Sequence, residues 1–396
     1  MDLGKLNSNG RSMSLVWIIA AGLAIILGGL LLASFTPNIF PAEGSTQAQQ
    51  VDTLFRFMLF IGGAIFLLVN GLLLYSVIRF RARKGDNSDG PPIQGNTTLE
   101  FTWTVIPAII VLVLTIYSFQ VWTSITSPQE NEQVVNVVGQ RFAWSFNYDI
   151  PQDALPEGTT LDQLPEAVQA VYASGEGVNF TSSQLHTWVG QPVHVLLNTE
   201  DVNHAFWIPG MRIKQDLLAG RQTDIRFTPI EAGVYRIACA ELCGSGHGAM
   251  AGTVSDDGTT LQGAWLIVHP DEQTYLHEFY NPEAQTVLFP PTDPVELGRQ
   301  ILASGQYPCA TCHTLSSLGW TGNLGPNLNG VGTRANTRMT GMQAHDYIHD
   351  SVRNPAHFVV PGFSPIMPQF NDETSEANYM PEADLEAIIA FLLTQT

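Results

Sequence analysis

The run CAELCGSGHGAM, Cys239 to Met250, sets two cysteines, a histidine and a methionine within twelve residues of a glycine-rich loop. Thiolate, imidazole and thioether together form a soft nitrogen–sulfur ligand set, which selects copper over hard ions. Zinc is the first rival, but methionine is a poor zinc ligand and structural zinc sites are built from Cys and His. A single-copper site is the better rival, since Cys243, His247, Met250 and one distant histidine would supply its whole ligand set. Cys239 decides between them, because a second thiolate four residues earlier is surplus to one copper but allows two sulfurs to bridge two. The remaining histidine must come from elsewhere, and His204 in DVNHAFWIPG, at the end of a strand-like run, is the natural choice. An isolated histidine on an apolar strand is usually structural, and the cysteine loop is what raises His204 above that reading.

The pattern around this loop is strand-like between about Glu132 and Val268: VVNVV, RFAWSFNY, PVHVLLN, GVYRIACA and AWLIV, separated by Gly, Pro, Asn and Asp. Several short strands at this spacing predict a β-sandwich or barrel. In RFAWSFNY, Phe142, Trp144, Phe146 and Tyr148 alternate and are expected to face one way along a single strand. An acidic, Gly/Pro-punctuated insert near 151–183 interrupts the pattern, with a short helix expected near Gln163–Ala173. After Pro270 the strand character stops, and a stretch rich in Pro and acidic residues reads as a flexible linker. The last hundred residues read as helices: Val295, Gly298, Ile301 and Leu302 repeat at helical spacing, as do Leu385, Ile388, Ile389 and Leu392. Pro381 and Glu382 suit the N-terminus of the final helix.

The other two cysteines stand in CATCH, where Cys309, Cys312 and His313 read as covalent haem c attachment, with the imidazole as an axial ligand. A redox CxxC pair would expect a βαβ setting rather than an isolated helix before it. The sixth ligand is expected to be a downstream methionine, because Met/His ligation raises the haem potential. Met339 and Met342 come too soon, which leaves Met367 in SPIMPQF and Met380 in NYMPEAD. Met367 is preferred, since Met380 abuts the last helix and is more simply a packing residue; GPNLNG, Gly325 to Gly330, is expected to line the His313 side.

Three apolar stretches, Leu15–Phe35, Phe57–Ile78 and Trp103–Trp122, contain no Asp, Glu, Lys or Arg and are long enough to cross a bilayer, which takes about 20 residues of helix. Arg79, Arg81, Arg83 and Lys84 follow the second stretch and favour the cytoplasmic side, with the turn-rich run Gly85–Pro92 closing a hairpin. The chain after Trp122 then emerges outside; Lys5 and Arg11 suit an inside N-terminus, and Leu15–Phe35 suits either a retained helix or a signal sequence. Only 13% of the residues are charged, against about a quarter in a soluble protein, and four cysteines in 396 residues make no disulfide scaffold. The net charge of −19 argues against a nucleic-acid partner, whose phosphates need a cationic surface. From Thr123 onward 10 Lys and Arg stand against 30 Asp and Glu, so the exported part is acidic.

At these residues the chain resembles subunit II of haem-copper cytochrome c oxidases, in the variety with a cytochrome c fused to its C-terminus. The likeness divides the chain into an N-terminal apolar segment with an outer loop (1–50), a transmembrane α-helical hairpin (51–125), a cupredoxin-like β-sandwich with its insert (126–270), a linker (271–294) and an all-α cytochrome c domain (295–396). The expected fold class is therefore a membrane-anchored multidomain protein. The resemblance implies that His204, Cys239, Cys243 and His247 are the main ligands of a binuclear copper centre, CuA, with Met250 a weak ligand and the Glu241 backbone carbonyl completing the set. It implies further that the Glu241 side chain meets a magnesium ion at the boundary with subunit I. LEFTWTVIP, Leu99 to Pro107, matches the family's Glu-x-x-Trp-Thr-x-x-Pro, and by that match Glu100 lies near the mouth of a proton-uptake pathway in subunit I.

One position departs from the family. Related subunits carry Trp where this chain has Phe142, and there it accepts electrons from soluble cytochrome c. With the donor haem on the same chain that site is expected to be altered or unused, and Phe142 and Trp144 are kept as a candidate electron route. The function implied is that of the electron-accepting subunit of a proton-pumping cytochrome c oxidase, from haem c to CuA and on to subunit I, where oxygen is reduced. Implied partners are subunits I and III, membrane lipid, and an upstream donor such as cytochrome c, a cytochrome complex or another carrier. The implied setting is a bacterial plasma membrane crossed more than once, with both exported domains on the outer face. Both cysteine motifs exclude a quinol-oxidising relative. A CuA-bearing nitric oxide reductase subunit stays open, because it differs in subunit I, as does a freestanding membrane-anchored carrier, which would need neither Glu100 nor the Glu241 side chain.

Overall fold

The computed structural model describes residues 8–36, 39–81, 85, 95–156, 158–175, 177–254, 261–372 and 378–396. Lys5, Arg83, Lys84 and most of the run Gly85–Pro92, on which the topology reading drew, lie outside the described residues. The chain divides into two units, Met1–Glu43 with Ala48–Ser127 and Gly44–Gln47 with Pro128–Thr396.

The first unit holds α1 (Ser8–Ser34), α2 (Thr46–Arg79) and α3 (Thr97–Thr126), one for each expected apolar stretch. All three are long and apolar enough to cross a membrane. Their large side chains, Trp17, Leu27, Leu72, Ile78, Leu112 and Phe119 among them, are exposed. A helix satisfies its own backbone hydrogen bonds, so such a surface suits lipid and would be costly in water.

The second unit begins with a β-sandwich. Its strands are β1 (Gln133–Gln140), β2 (Ala143–Ile150), β3 (Val178–Ser182), β4 (Leu185–Trp188), β5 (Val193–Thr199), β6 (His204–Ile208), β7 (Ile213–Leu217) and β8 (Thr223–Phe227). They continue with β9 (Gly233–Arg236), β10 (Ala238–Cys239), the short hairpin β11 (Thr253–Val254) and β12 (Leu261–Gln262), and β13 (Trp265–His269). One sheet runs β3-β2-β1-β5-β8; the others run β4-β13-β9 and β10-β6-β7. Strand pairs are antiparallel except β1 with β5 and β4 with β13. Alternate residues turn inward, as a two-residue period requires, and Val135, Val137, Phe146, Leu197, Phe206, Phe227 and Leu266 fill the core between the sheets.

Two expectations need correction. Phe142 is not on the strand with Trp144, Phe146 and Tyr148: Gln140 pairs with Ala143, so Arg141 and Phe142 form a two-residue hairpin turn before β2 begins. The turn takes Phe142 out of the alternation and frees its ring to point elsewhere. The stretch 271–294 is not a flexible chain either. Most of it is one helical segment, α5 (Glu272–Tyr275), a wider π turn at Leu276–Tyr280, and α6 (Asn281–Leu288). Tyr275, Phe279, Ala284 and Leu288 lie in the core of the β domain. The Phe279 ring stacks on His186 at 3.6 Å between centroids and meets Tyr148 edge-on at 5.1 Å. Burial, and then the neighbouring His269, pushes the His186 pKa down to about 3, so the ring packs in its neutral form.

The stretch 151–183 contains a turn at Leu161–Gln163 and α4 (Glu166–Ser174), close to where a helix was expected. It ends in β3, which joins the five-stranded sheet by pairing with β2. The rest of the unit is mostly helical: α7 (Pro294–Ser304), α8 (Cys309–Cys312), α9 (Val331–Arg338), α10 (Ala344–Arg353) and α11 (Glu382–Leu393), with a small hairpin of β14 (Thr314–Leu315) and β15 (Trp320–Thr321). Its core is its own, built from Leu302, Leu315, Ile348, Phe370, Leu385, Ile388 and Leu392.

If the segment after Pro270 is part of the β domain, Phe279→Ala should destabilise that domain by about 3–5 kcal/mol, the usual cost of emptying a buried phenylalanine site. Urea unfolding followed by β-domain tryptophan fluorescence measures this. A change below about 1 kcal/mol, the size seen at surface positions, would show an undocked linker.

Candidate metal centre

The copper-type loop begins where β10 ends. Because β10 runs antiparallel to β6 with Cys239 opposite Phe206, the first residue of β6, His204, is brought level with the start of the loop. His204, Cys239 and Cys243 are buried, and their ligand atoms all lie within 4.8 Å of one another. The site has two halves. In one, Cys239 Sγ lies 3.9 Å from His204 Nδ1 and 3.1 Å from the Glu241 carbonyl oxygen. In the other, Cys243 Sγ lies 3.5 Å from His247 Nδ1 and 3.5 Å from Met250 Sδ. A turn at His247–Met250 folds the last two side chains back onto Cys243. One sulfur, one imidazole and one further donor per half, with the two sulfurs adjacent, fit two coppers better than one.

Neither cysteine is in a disulfide. Burial pushes both thiols up, but for Cys239 hydrogen bonds with His204 and with the backbone at Ala205 and Glu241 outweigh it and bring the pKa down to about 7. For Cys243 burial, and then Cys239 beside it, outweighs a single backbone hydrogen bond, and the thiol is pushed up to about 12. Two thiolates side by side repel, so holding both ionised calls for positive charge between them, which bound metal supplies.

The sequence reading missed Asp201. Its Oδ1 meets His204 Nε2 at 3.0 Å, and its Oδ2 accepts from the Arg141 backbone N–H at 2.8 Å and from Arg141 Nε at 3.1 Å. Burial alone would raise its pKa, yet hydrogen bonds from His204, Val202 and Arg141 hold the carboxyl well below the usual range. A carboxylate on one ring nitrogen fixes the other, Nδ1, toward the sulfurs. The signal was present as an acid three residues before a candidate ligand, but sequence proximity says nothing of direction. Trp144, buried behind the site, donates its indole N–H to the Met250 carbonyl at 2.9 Å and meets the His204 ring edge-on at 6.0 Å.

Phe142 is buried against the same loop. A Cβ on Gly246 would overlap the Phe142 ring, so this glycine is what lets the loop close over it. Arg141 and Phe142 also line an apolar cavity in the helical part of the unit, together with Cys309, Cys312, His313, Met367 and Met380. There His313 Nδ1 meets the Pro326 carbonyl at 2.7 Å, which makes Nδ1 the donor and leaves Nε2 with its lone pair. Burial lowers the pKa of this ring and keeps it neutral, as a ligand must be. Gly325 packs against the ring, since a Cβ there would come within 2.7 Å of it. Two unpaired thiols, a neutral imidazole held in one tautomer and two thioethers around an apolar space fit a covalently attached haem. Met339 and Met342 pack near this core but are not among the cavity's lining residues.

Glu100 is exposed in the first turn of α3, where its Oε1 accepts from the Asn96 N–H at 3.1 Å while Asn96 Oδ1 accepts from the Leu99 N–H. It therefore helps cap the helix as well as offering a carboxylate. The Glu241 residue is exposed while its carbonyl faces Cys239.

Asp201→Asn keeps the size of the side chain but weakens its acceptance from His204 and Arg141. Copper affinity, read by competition with a chelator, should fall about 10–100-fold, as for other groups that orient a metal ligand. Unchanged affinity would reduce Asp201 to a turn-forming residue.

The family described as Cytochrome C oxidase subunit II, transmembrane domain, matches residues 33–121, and that described as Cytochrome C oxidase subunit II, periplasmic domain, matches residues 133–256. The cytochrome c oxidase subunit 2 of Synechocystis sp. is 33% identical over 273 residues, 64% of this chain and 82% of that protein. That of Alkalihalophilus pseudofirmus is 25% identical over 399 residues, 99% of this chain and 98% of that protein. Among solved structures, the periplasmic domain of subunit II of cytochrome oxidase from Bradyrhizobium japonicum covers 39% of this chain and 98% of its own at 20% identity and a TM-score of 0.26. The two family matches between them take in the helices and the copper-type loop, and the chain belongs to the cytochrome c oxidase subunit II family, serving electron transfer in a haem-copper oxidase.

Proposed function

We propose that this chain is the electron-accepting subunit of a proton-pumping cytochrome c oxidase in a bacterial plasma membrane, passing electrons from a covalently bound haem c to binuclear CuA and on to the oxygen-reducing subunit I. The observation that carries the relay is the double contact of one turn: Phe142 packs against the copper loop at Gly246 and lines the cavity that holds Cys309, Cys312 and His313. The end-to-end match to a subunit 2 of similar length supports the same reading of the C-terminal part.

In this reading His204, Cys239, Cys243 and His247 hold the two coppers, Met250 is a weak ligand and the Glu241 carbonyl completes the set. The bound coppers supply one-electron acceptance and release. The chain supplies burial and fixed ligand directions, so that little reorganises when charge changes. Cys309 and Cys312 would hold the haem through thioethers, and His313 and Met367 would be its iron ligands. Met367 is preferred to Met380 because Met380 is buried in the helical core and also offers its carbonyl to Arg353 at 3.0 Å, whereas Met367 is only partly buried. Residues 126–270 with the helical segment through Leu288 form the copper domain, and 295–396 the haem domain.

From Phe142 two short routes reach the copper site, one through the Gly244–His247 loop and one through Arg141 and Asp201 to His204 Nε2. Trp144 backs the same histidine. Glu100 serves proton uptake toward subunit I, which turnover of Glu100→Gln tests, and the exposed Glu241 carboxylate meets a magnesium ion at that boundary, which metal analysis of Glu241→Gln tests. Subunits I and III, membrane lipid and an upstream donor complete the partners.

Two variants test the cofactor assignments in the full complex. Cys239→Ser should reduce the bound copper from two ions to one or none per chain and replace the mixed-valence electron resonance signal by that of an isolated copper; an unchanged signal rejects the binuclear site. Met367→Ala should abolish the weak red absorption band of methionine-ligated ferric haem and lower its potential, because a thioether favours the reduced iron. Loss of the band in Met380→Ala instead would transfer the ligand role to that residue.

A further inference from the structure

Away from the copper loop and the cavity, α10 and α11 run side by side with polar residues in matching helical phase. His345, His349 and Arg353 repeat every four residues on α10, and Glu382 and Glu386 do so on α11. His349 Nε2 lies 2.9 Å from Glu382 Oε1, and His345 Nε2 lies 2.9 Å from Glu386 Oε2. The ligand atoms of His349, Glu382 and Glu386 all lie within 4.8 Å of one another. Arg353 donates to the second oxygen of Glu382 at 2.7 Å and to the carbonyls of Phe370 and Met380, so Glu382 is held from behind with Oε1 facing the histidine.

We propose that His349, Glu382 and Glu386 bind a divalent transition ion of the zinc class across α10 and α11, with His345 orienting Glu386. The donor set decides the ion. One imidazole and two carboxylates suit zinc, whereas calcium and magnesium demand a shell made wholly of oxygen and copper(I) prefers sulfur. The present spread is wider than zinc's bond lengths of about 2.0–2.2 Å, and Glu386, which is half exposed and not held by Arg353, is the side chain placed to close it. The exposed side leaves room for water as the fourth ligand. The pairs as they stand, imidazole against carboxylate, are the contacts a proton makes, and a metal ion replaces that proton. Buried Ile348 on α10 and Leu385 and Ile388 on α11 line the cavity, so an ion here would join two of its walls from outside.

The test uses the purified complex with its full-length subunit, stripped by chelator and dialysed against micromolar zinc. The complex carrying Glu382→Gln with Glu386→Gln should hold one zinc fewer per subunit than the unaltered complex, with haem and copper contents the same. His349→Gln, which leaves both carboxylates and Arg353 in place, should show the same loss, and His345→Gln should weaken binding about 10–100-fold. The difference in zinc-edge absorption between unaltered and altered complexes should report one imidazole nitrogen and carboxylate oxygens. Equal zinc content and affinity in the unaltered and His349→Gln complexes would overturn the site and leave the four residues as ion pairs between two helices.

Discussion

Two cysteine sulfurs, Cys239 and Cys243, are buried side by side at one end of a β-sandwich, and this arrangement sets the conditions for much of the second unit. Two adjacent thiolates in a desolvated place are unfavourable without compensating positive charge: burial, and then Cys239 beside it, raises the Cys243 thiol, while hydrogen bonds from His204 and the backbone lower that of Cys239. Metal resolves it, but only if imidazoles arrive from two directions. The short pairing of β10 with β6 delivers His204 to one sulfur, and the turn after Gly246 delivers His247 and Met250 to the other. The sandwich supplies the rigidity behind both: Trp144 pins the Met250 carbonyl, and Asp201 pins His204. A ligand shell fixed by strands and by second contacts changes little when the charge on the metal changes, which suits a site that only receives and releases electrons.

The same constraint explains why the hairpin turn at Arg141 and Phe142 matters. The loop is glycine-rich where it crosses Phe142, so the ring and the backbone can lie in contact. Arg141 reaches Asp201 with both its backbone and its guanidinium. The two residues also line the cavity of the helical part, so the metal loop and the haem-type cavity share one turn. The helical segment from Glu272 to Leu288 is packed into the β-domain core through Tyr275, Phe279, Ala284 and Leu288, which leaves only a short stretch before α7. The helical part that follows is therefore joined to the β domain through packed structure, and only residues 289–293 separate α6 from α7.

How much of this could be read from the residues depended on whether the signal was local. The copper loop and CATCH are contiguous, and their residue types admit few chemistries; the three apolar stretches needed only length and the absence of charge. Phe142 was misplaced because a strand and a two-residue hairpin turn both continue an alternating pattern, and the strand's true start at Ala143 is decided by its pairing with Gln140. The segment after Pro270 looked like linker because its four buried residues follow spacings of four, five and four, a rhythm broken by a π turn and diluted by acidic residues on the other faces. Asp201 could not be picked out from the other carboxylates without knowing which way it points. His345, His349, Glu382 and Glu386 are each ordinary surface residues, and only the packing of α10 alongside α11 puts them together.

In the proposed relay the donor haem and the copper acceptor belong to one chain and are already in position for transfer. The measurement that meets it most directly is the rate of electron transfer from photoreduced haem to copper in the solubilised complex, followed as the protein is diluted and the salt concentration raised. A first-order rate unchanged by either is expected, since packed domains need no diffusional encounter and no steering by the acidic exported surface. In Phe142→Ala, with copper and haem contents intact, the rate should be slower. A rate that falls in proportion to protein concentration, or that is unaffected when the Phe142 ring is removed, would contradict it.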